Sequence, residues 1–298
     1  MGNSLCCCLQ HADRITIEDD SAAVISFSSS ELSAYTDGFS AKNLLGHGGF
    51  GSVYLGNYNG KLVAVKVSRQ LDTKTRLQWQ AEIKYLSNMM HSNIIKLVGY
   101  CNTPEKLYLV YPFMQHGTVK SKLSGLDWNR TMKIITGAAR AIRELHCHSP
   151  PLVYRDLKLD NLLLDKDFTP ILADFGAVTP EGEALRLGTS GYTDPIVMNN
   201  GPGTKPNDIY SLGVMILQLI MKEKVVSFPG SSVPWHITHW ASTIHSAKGH
   251  AVHQKLTTTG CSKAAAIAIT KLGLDCTRPN MSERPNISEV LRRIINLE

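Results

Sequence analysis

The run YRDLKLDNLLL at 154–164, followed by ADFG at 173–176, constrains this chain more than any other stretch. It sets two kinds of chemistry side by side. Asp156 is a carboxylate placed to orient a nucleophile. Asn161 and Asp174, an amide and a carboxylate in separate turns, suit a divalent cation held against phosphate. Mg²⁺ takes oxygen ligands at about 2.0–2.1 Å, through few protein groups plus phosphates. A lone Asp or Asn in a loop is an ordinary turn or cap residue. The ordered pattern and a second site upstream carry the functional reading, and 298 residues suffice for one large domain or two lobes sharing a cleft.

The upstream site begins at 43–56, NLLGHGGFGSVYLG. A bare GxGxxG is a weak signal. Here a strand, SVYL, follows Gly51, and 61–67 alternates as a second strand, whereas a dinucleotide fold needs a helix directly after the glycines. The hairpin reads as a flap over phosphates. Missing Cβ atoms at Gly46, Gly48 and Gly51 admit phosphate oxygens to the backbone, and Phe50 at the tip is expected to shield them. Lys66 interrupts an apolar strand, and burying it requires a partner. The segment 71–90 reads as a helix with Leu77, Ile83, Leu86 and Met90 on one stripe; Glu82 is the only acid between Asp72 and Glu105. A Lys66–Glu82 pair holds the ammonium against phosphates. Two more strands are expected at 91–100 and 107–113, then a hinge exit at 114–117, with the backbone of 111–113 facing an adenine edge.

Beyond the hinge the pattern turns helical. Asp127 is placed to cap a helix whose buried stripe is Ile134, Ile135, Ala138, Ala141, Ile142 and Leu145. Pro150 and Pro151 prevent its continuation and deliver the chain into the 154–164 loop. Another helix starts near 207. The stretch 224–261, rich in Pro, Ser, Gly and His, reads as a surface excursion. Its histidines at 236, 239, 245, 250 and 253 lack the spacing of a metal site, as do His146 and His148. Helices at 263–274 and 287–295 close the chain.

Charge and cysteines exclude several classes. The net charge of +6 is not gathered into a basic run with aromatic interleaving, which argues against nucleic acid as a partner. No segment approaches the roughly 18 apolar residues of a membrane span. Three of the seven cysteines are consecutive and the others scattered, so neither a disulfide framework nor a CxxC site is indicated. The start also lacks the basic and apolar regions of a secretory signal. MGNSLCCC instead resembles a myristoylation start at Gly2, with Cys6 where a small hydroxyl residue is usual. One myristoyl chain binds membranes marginally, and the acidic tail offers no basic patch, so the second signal falls to S-acylation of Cys6, Cys7 and Cys8. Residues 10–30 read as a linker, and 27–39 as a short amphipathic helix or turn against the domain that follows.

Together, 46–53, Lys66, Glu82, 154–161 and 174–176 resemble the protein-kinase signature set, in order and at similar spacing over roughly 39–295. HSNIIKLVGYC, LDWNRTMKI and GTSGY resemble plant receptor-like cytoplasmic serine/threonine kinases, of a wall-associated-kinase-like, short adaptor-type branch. The resemblance implies an α+β bilobal fold: a small antiparallel β lobe with one helix and a larger, mainly helical lobe. It divides the chain into an acylated tail at 1–26 and a kinase domain at 27–298, with lobes at about 39–113 and 114–298. It implies ATP and Mg²⁺, with Mn²⁺ as a substitute, and transfer of the γ-phosphoryl group to a protein hydroxyl.

The site residues implied follow position by position. Asp156 orients the substrate hydroxyl, Lys158 steadies the transferring phosphoryl, and Arg155 meets phosphate on the activation segment. Asn161 and Asp174 hold the metal, and Lys66 with Glu82 hold the phosphates. Leu45, Gly46, Gly48, Gly49, Gly51, Val53, Ala64, Tyr111 and Phe113 enclose the nucleotide. Thr189 and Tyr192 belong to the substrate loop, Thr189 as a positioning hydroxyl; Asp208 braces the catalytic loop. Phosphate on Thr179, Thr189, Ser190 or Thr193 would pair with Arg155. Implied partners are a protein substrate or receptor kinase, an immune receptor or effector, and the cytoplasmic face of the plasma membrane through acylation, with some protein in the cytoplasm.

Three departures bear on activity. Tyr154 stands where histidine is commoner, the activation segment is short, and Ile196 replaces a glutamate that normally pairs with the buried arginine matched by Arg284. Arg284 is therefore expected to lack that partner, at a cost of several kcal/mol unless Glu283, Glu289 or another acceptor substitutes. This raises the alternative of a weakly active or inactive kinase-fold adaptor in plant defence signalling.

Overall fold

The computed structural model describes residues 23–183, 188–195, 202–223 and 237–297. It has the two-lobed α+β arrangement. In the small lobe, β1 (Ile25–Ser26) and α1 (Ser29–Tyr35) precede β2 (Leu44–His47), β3 (Gly51–Tyr58) and β4 (Lys61–Ser68). Then come α2 (Thr73–Leu86), β5 (Gly99–Asn102) and β6 (Leu107–Pro112). The sheet order is β1-β5-β6-β4-β3-β2, antiparallel except where β1 lies parallel to β5.

Strand alternation assigns its two faces. Val63 and Val65 of β4 and Tyr108 and Val110 of β6 face outward and pack with Phe27 and Leu32. Leu32 comes from α1, whose capping box joins Ser28 and Glu31. The helix or turn expected at 27–39 is thus a helix, packed on the outer face of the sheet. On the other face, Lys66 stands opposite Val53 and Leu109, and Ala64 opposite Tyr111. Residues directly opposite share a face, so Val53, Ala64, Lys66 and Tyr111 form one surface toward the cleft.

Helix α2 covers that surface, but with a different stripe from the one expected. Thr75, Trp79, Glu82 and Leu86 are buried, whereas Leu77 is 58% and Met90 69% exposed. Apolar residues recur at helical spacing on two faces here. The Trp79 indole, which donates to the Tyr108 carbonyl at 3.0 Å, and the Glu82 carboxylate select the inward one. The expected strand at 91–100 also contracts to β5. Upstream of it the chain bonds to the large lobe instead, Ile95 N–H to Leu172 O and Leu172 N–H to Asn93 O.

The large lobe contains β7 (Gly117–Thr118), α3 (Val119–Lys122), α4 (Trp128–Cys147), β8 (Leu152–Val153), β9 (Leu162–Leu164), β10 (Pro170–Leu172) and β11 (Thr179–Pro180). After these come α5 (Lys205–Met221), α6 (Ile237–Lys248), α7 (Gln254–Thr257), α8 (Lys263–Cys276) and α9 (Ile287–Ile295). Asp127 caps α4 by accepting from the Arg130 amide, and the predicted α4 stripe is fully buried. Helix α5 runs through the core between α4 and α8. Of the stretch 224–261 the described part, 237–261, is less of an excursion than expected: α6 and α7 bury Ile237, Ala241 and Leu256. Small strands β9 and β10 carry the chain from the catalytic loop into ADFG, and β11 pairs with β8.

Candidate functional site

Lys66 connects the lobes. Its Nζ lies 2.7 Å from Glu82 Oε1 on α2 and 3.1 Å from Asp174 Oδ1, just after β10. Burial alone would lower the lysine's pKa, but Asp174 and Glu82 outweigh it and hold the ammonium charged. Lys66 in turn keeps the Asp174 carboxyl below its ordinary range. Burial pushes Glu82 the other way. The second Glu82 oxygen, Oε2, accepts a hydrogen bond from the Tyr111 hydroxyl. That hydroxyl is pushed far above its usual pKa by burial and by the carboxylate, so it remains a donor.

Tyr111 was expected to face an adenine edge through its backbone. Instead its backbone lies in the β4–β6 ladder and its side chain turns to Glu82, while the Phe113 amide donates to Leu62 O at 3.1 Å. A hydroxyl on an otherwise apolar strand was the available signal. Phe50 also departs from expectation. Rather than crowning the glycine turn, its ring is buried, 4.8 Å from the Lys66 ammonium, where the cation's attraction and the interlobe core both favour it. Leu45 is 45% exposed. Gly46, Gly48 and Gly49 have open space where a Cβ would stand, whereas a Cβ on Gly51 would overlap the Val67 carbonyl.

On the large lobe, Asp156 gathers three donors. Its Oδ1 accepts from Thr189 Oγ1 at 2.5 Å; Oδ2 accepts from Lys158 Nζ at 2.7 Å and Asn161 Nδ2 at 3.0 Å. Lys158 Nζ also donates to Thr189 Oγ1 at 2.7 Å. With Nδ2 donating to Asp156, the Asn161 amide oxygen is oriented as an acceptor. The Asp174 side chain is about half exposed and keeps oxygen lone pairs beyond the one on Lys66. An amide oxygen and a carboxylate are a hard, oxygen-only donor set, and they fit Mg²⁺. Arg155 and Asp174 both have left-handed backbone, φ 72 and 60; such conformations cluster at functional sites and require support from their surroundings.

That support comes from Asp208 at the start of α5. Its buried carboxylate accepts the Tyr154 and Arg155 amides, each at 2.8 Å, and lies 3.0 Å from His146 Nε2. Tyr154 closes the circuit. Its hydroxyl donates to the Ala173 carbonyl, and its ring meets Phe175 edge-on at 5.5 Å. The tyrosine thus ties the catalytic loop to the residue before Asp174. Neither His146 nor the Tyr154 hydroxyl carried a role in the sequence reading. Nearby, Tyr192 is buried, its hydroxyl 2.5 Å from Gln218 Oε1 and its pKa pushed up to about 12 by burial.

At Arg284 another acceptor substitutes for the missing glutamate. The arginine is not left without a partner: its Nη1 donates to Asp194, both side chains being 1% exposed, and to Pro206 O. Nε reaches Arg278 O, and Nη2 reaches Pro279 O. The carboxylate comes from two positions before Ile196, which itself lies outside the described residues, as do Gly2, Cys6, Cys7 and Cys8. Among the described residues there is no cluster of metal-ligating His, Cys, Asp or Glu side chains, and no helix is long and apolar enough to cross a membrane.

Comparison with known proteins is consistent with this geometry. The family profile described as protein kinase domain matches residues 39–294. A probable serine/threonine-protein kinase of Arabidopsis thaliana, PBL21, is 38% identical, over 72% of this chain and 61% of its own length. PBL8, another from the same plant, is 33% identical over 93% of this chain and 73% of its own. From Gossypium barbadense, an EPD1-interacting receptor-like cytoplasmic serine/threonine-protein kinase, 5D, is 33% identical over 89% and 64%. The chain thus spans about three-fifths to three-quarters of the length of these relatives.

Proposed function

Since the chain belongs to the protein kinase family, beside plant receptor-like cytoplasmic serine/threonine kinases, we propose that it transfers the γ-phosphoryl group of ATP to a protein serine or threonine. One observation carries the reading: two closed constellations, Lys66–Glu82–Asp174 and Asp156–Lys158–Thr189, meet across one cleft.

Lys66, fixed by Glu82, presents its ammonium to the nucleotide phosphates. Asn161 and Asp174 would hold Mg²⁺, which when bound would neutralise charge on the phosphates. With the Phe113 amide committed to Leu62, the Met114 amide is the next donor along the hinge for the adenine edge. Asp156 orients the attacking hydroxyl and takes its proton. Its carboxylate has about four lone-pair sites, so a substrate hydroxyl binds beside Thr189 without displacing it. Lys158 balances the charge that builds on the transferring group.

The test is incorporation of labelled phosphate by purified protein with Mg²⁺ and ATP, beside Asp156→Asn. Equal incorporation by the two would overturn the reading. The rival, an inactive adaptor, drew its support from Ile196, with the expected loss of a partner for Arg284, and from the short activation segment; the Asp194–Arg284 pair answers the first of these. We also propose that acyl chains on Gly2 and on Cys6, Cys7 and Cys8 attach the protein to the cytoplasmic face of the plasma membrane. Fractionation of Gly2→Ala checks this; unchanged membrane association refutes it.

A further inference from the structure

We infer that Arg155, the arginine beside Asp156, is held by the main chain of the activation segment itself, so that this segment takes its working shape without a phosphate. The inference rests on the kinase reading only for the word "working"; the geometry stands apart from it.

Arg155 is buried, its amide on Asp208 and its Nη2 donating to the carbonyl of Glu183. The stretch that supplies this carbonyl is fixed on its other side. Gly182 N–H donates to Gly203 O at 2.8 Å, and Gly203 N–H returns to Glu183 O at 3.1 Å. Gly203 thereby lies flat against the guanidinium. A Cβ there would stand 2.5–2.6 Å from its Nη2, Cζ and Nε, so any other residue would push the guanidinium out of this position. Glu181 adds a second tie: its amide reaches Pro151 O, and its carboxylate accepts the Lys205 amide at 3.1 Å. The guanidinium that would receive a phosphate is covered by the chain at 182–183 and 203. Burial, opposed by Asp208 and Glu183, lowers its pKa, in keeping with a confined charge.

The sequence agrees from a different direction. Between Thr179 and Thr189 there is no serine, threonine or tyrosine, only PEGEALRLG with its two glutamates. Three of the five flanking hydroxyl residues are hydrogen-bonded: Thr189 bridges Asp156 and Lys158, Tyr192 bonds Gln218, and Thr193 bonds Thr189 O. Thr179 is shut away on β11, where its hydroxyl is buried without a hydrogen-bond partner. Ser190 is the exposed one among these. A phosphoryl group brings three strong acceptor oxygens, and seating them on Arg155 would mean displacing Glu183 and Gly203.

The experiment uses the full chain, produced with and without a co-expressed phosphatase. It reads hydrogen exchange at the Gly182 and Gly203 amides beside phosphate transfer. Removal of phosphate should leave protection there unchanged within about twofold, as should Ser190→Ala. Gly203→Ala should raise exchange at Gly182 about tenfold, the change that goes with losing one ordinary main-chain bond. It should also lower kcat while the KM for ATP holds, because Lys66 and the glycine loop lie in the other lobe. Arg155→Lys, which keeps the charge but loses the reach of Nη2, should act in the same direction and serves if Gly203→Ala does not fold. A tenfold rise on dephosphorylation or in Ser190→Ala would overturn the inference, as would full protection in both Gly203→Ala and Arg155→Lys. Intact protection with no phosphate transfer by any form would instead count against the kinase reading.

Discussion

Replacing Asp194 with alanine tests how the segment after Thr189 is anchored. Asp194 and Arg284 are both 1% exposed, so removing the carboxylate leaves a guanidinium that water cannot reach. Losing one partner of a buried ion pair costs about 3–5 kcal/mol. Two details of the site adjust that range. Three main-chain carbonyls and the Tyr210 face, 5.0 Å from the guanidinium, remain to moderate the charge. Against this, Asn207 Nδ2 loses its 3.0 Å acceptor on Asp194. The lower half of the range, about 3–4 kcal/mol, is the reasonable expectation. At about 2–4 °C per kcal/mol for large single domains, melting should fall by about 6–16 °C.

The companion variant is Ile196→Glu, which restores the glutamate usual in the family. Were Arg284 unpaired, this change would raise the melting temperature by a comparable amount. With Asp194 already on Arg284, it should move melting by no more than about 2–4 °C, the equivalent of about 1 kcal/mol. Calorimetry on wild type and the two variants decides. If Asp194→Ala melts like wild type while Ile196→Glu is strongly stabilised, the Asp194–Arg284 pair is not what anchors the segment.

Other perturbations probe the cleft. Tyr111→Phe removes a donor to a buried carboxylate and should cost about 1.5–3 kcal/mol in chemical denaturation, with a lower phosphate-transfer rate as Glu82 loosens its hold on Lys66. Gly51→Ala should destabilise the small lobe, because its Cβ overlaps the Val67 carbonyl, whereas Gly48→Ala has open space and should keep its melting temperature while raising the KM for ATP. Alkylation of native protein at pH 8 should reach the exposed Cys147 well before Cys261 or Cys276, whose thiols burial pushes up to about 11 and about 12; mass mapping of early adducts checks the order. Because Lys66 lowers the folded pKa of Asp174, the stability this group contributes is present above about pH 4 and is lost as pH falls through the lowered value. The stability gap between wild type and Asp174→Asn should therefore narrow only on acidification below about pH 4; a gap that is constant down to pH 2 would contradict this.

What the sequence made legible was whatever is local or singular. Lys66 could be paired with Glu82 because the flanking helix offers no other acid, and the α4 stripe is long and regular enough to name its buried face. The inward face of α2 was not legible, since apolar spacing fits two sides of that helix and the choice falls to Trp79 and Glu82 meeting a sheet that is distant in sequence. The loop before β5 misled for a related reason. Its apolar run suits a strand, yet its backbone finds partners in β10, Ile95 N–H on Leu172 O and Leu172 N–H on Asn93 O, far downstream in sequence.

The same asymmetry governs the site. A missing motif residue is visible at once, but what replaces it need not resemble it or occupy its place. The carboxylate absent at 196 is supplied by Asp194, and the phosphate absent before Thr189 by the Glu183 carbonyl and the bare backbone of Gly203. Two features that read as losses of a regulated kinase thus lead to a single physical outcome: Arg284 and Arg155 both have partners in the fold, and both hold the segment that carries Thr189. A departure from a family pattern argues for lost activity only if the group it orphans stays orphaned in the fold. Here neither arginine does, so the balance shifts toward a kinase whose activation segment is built in place.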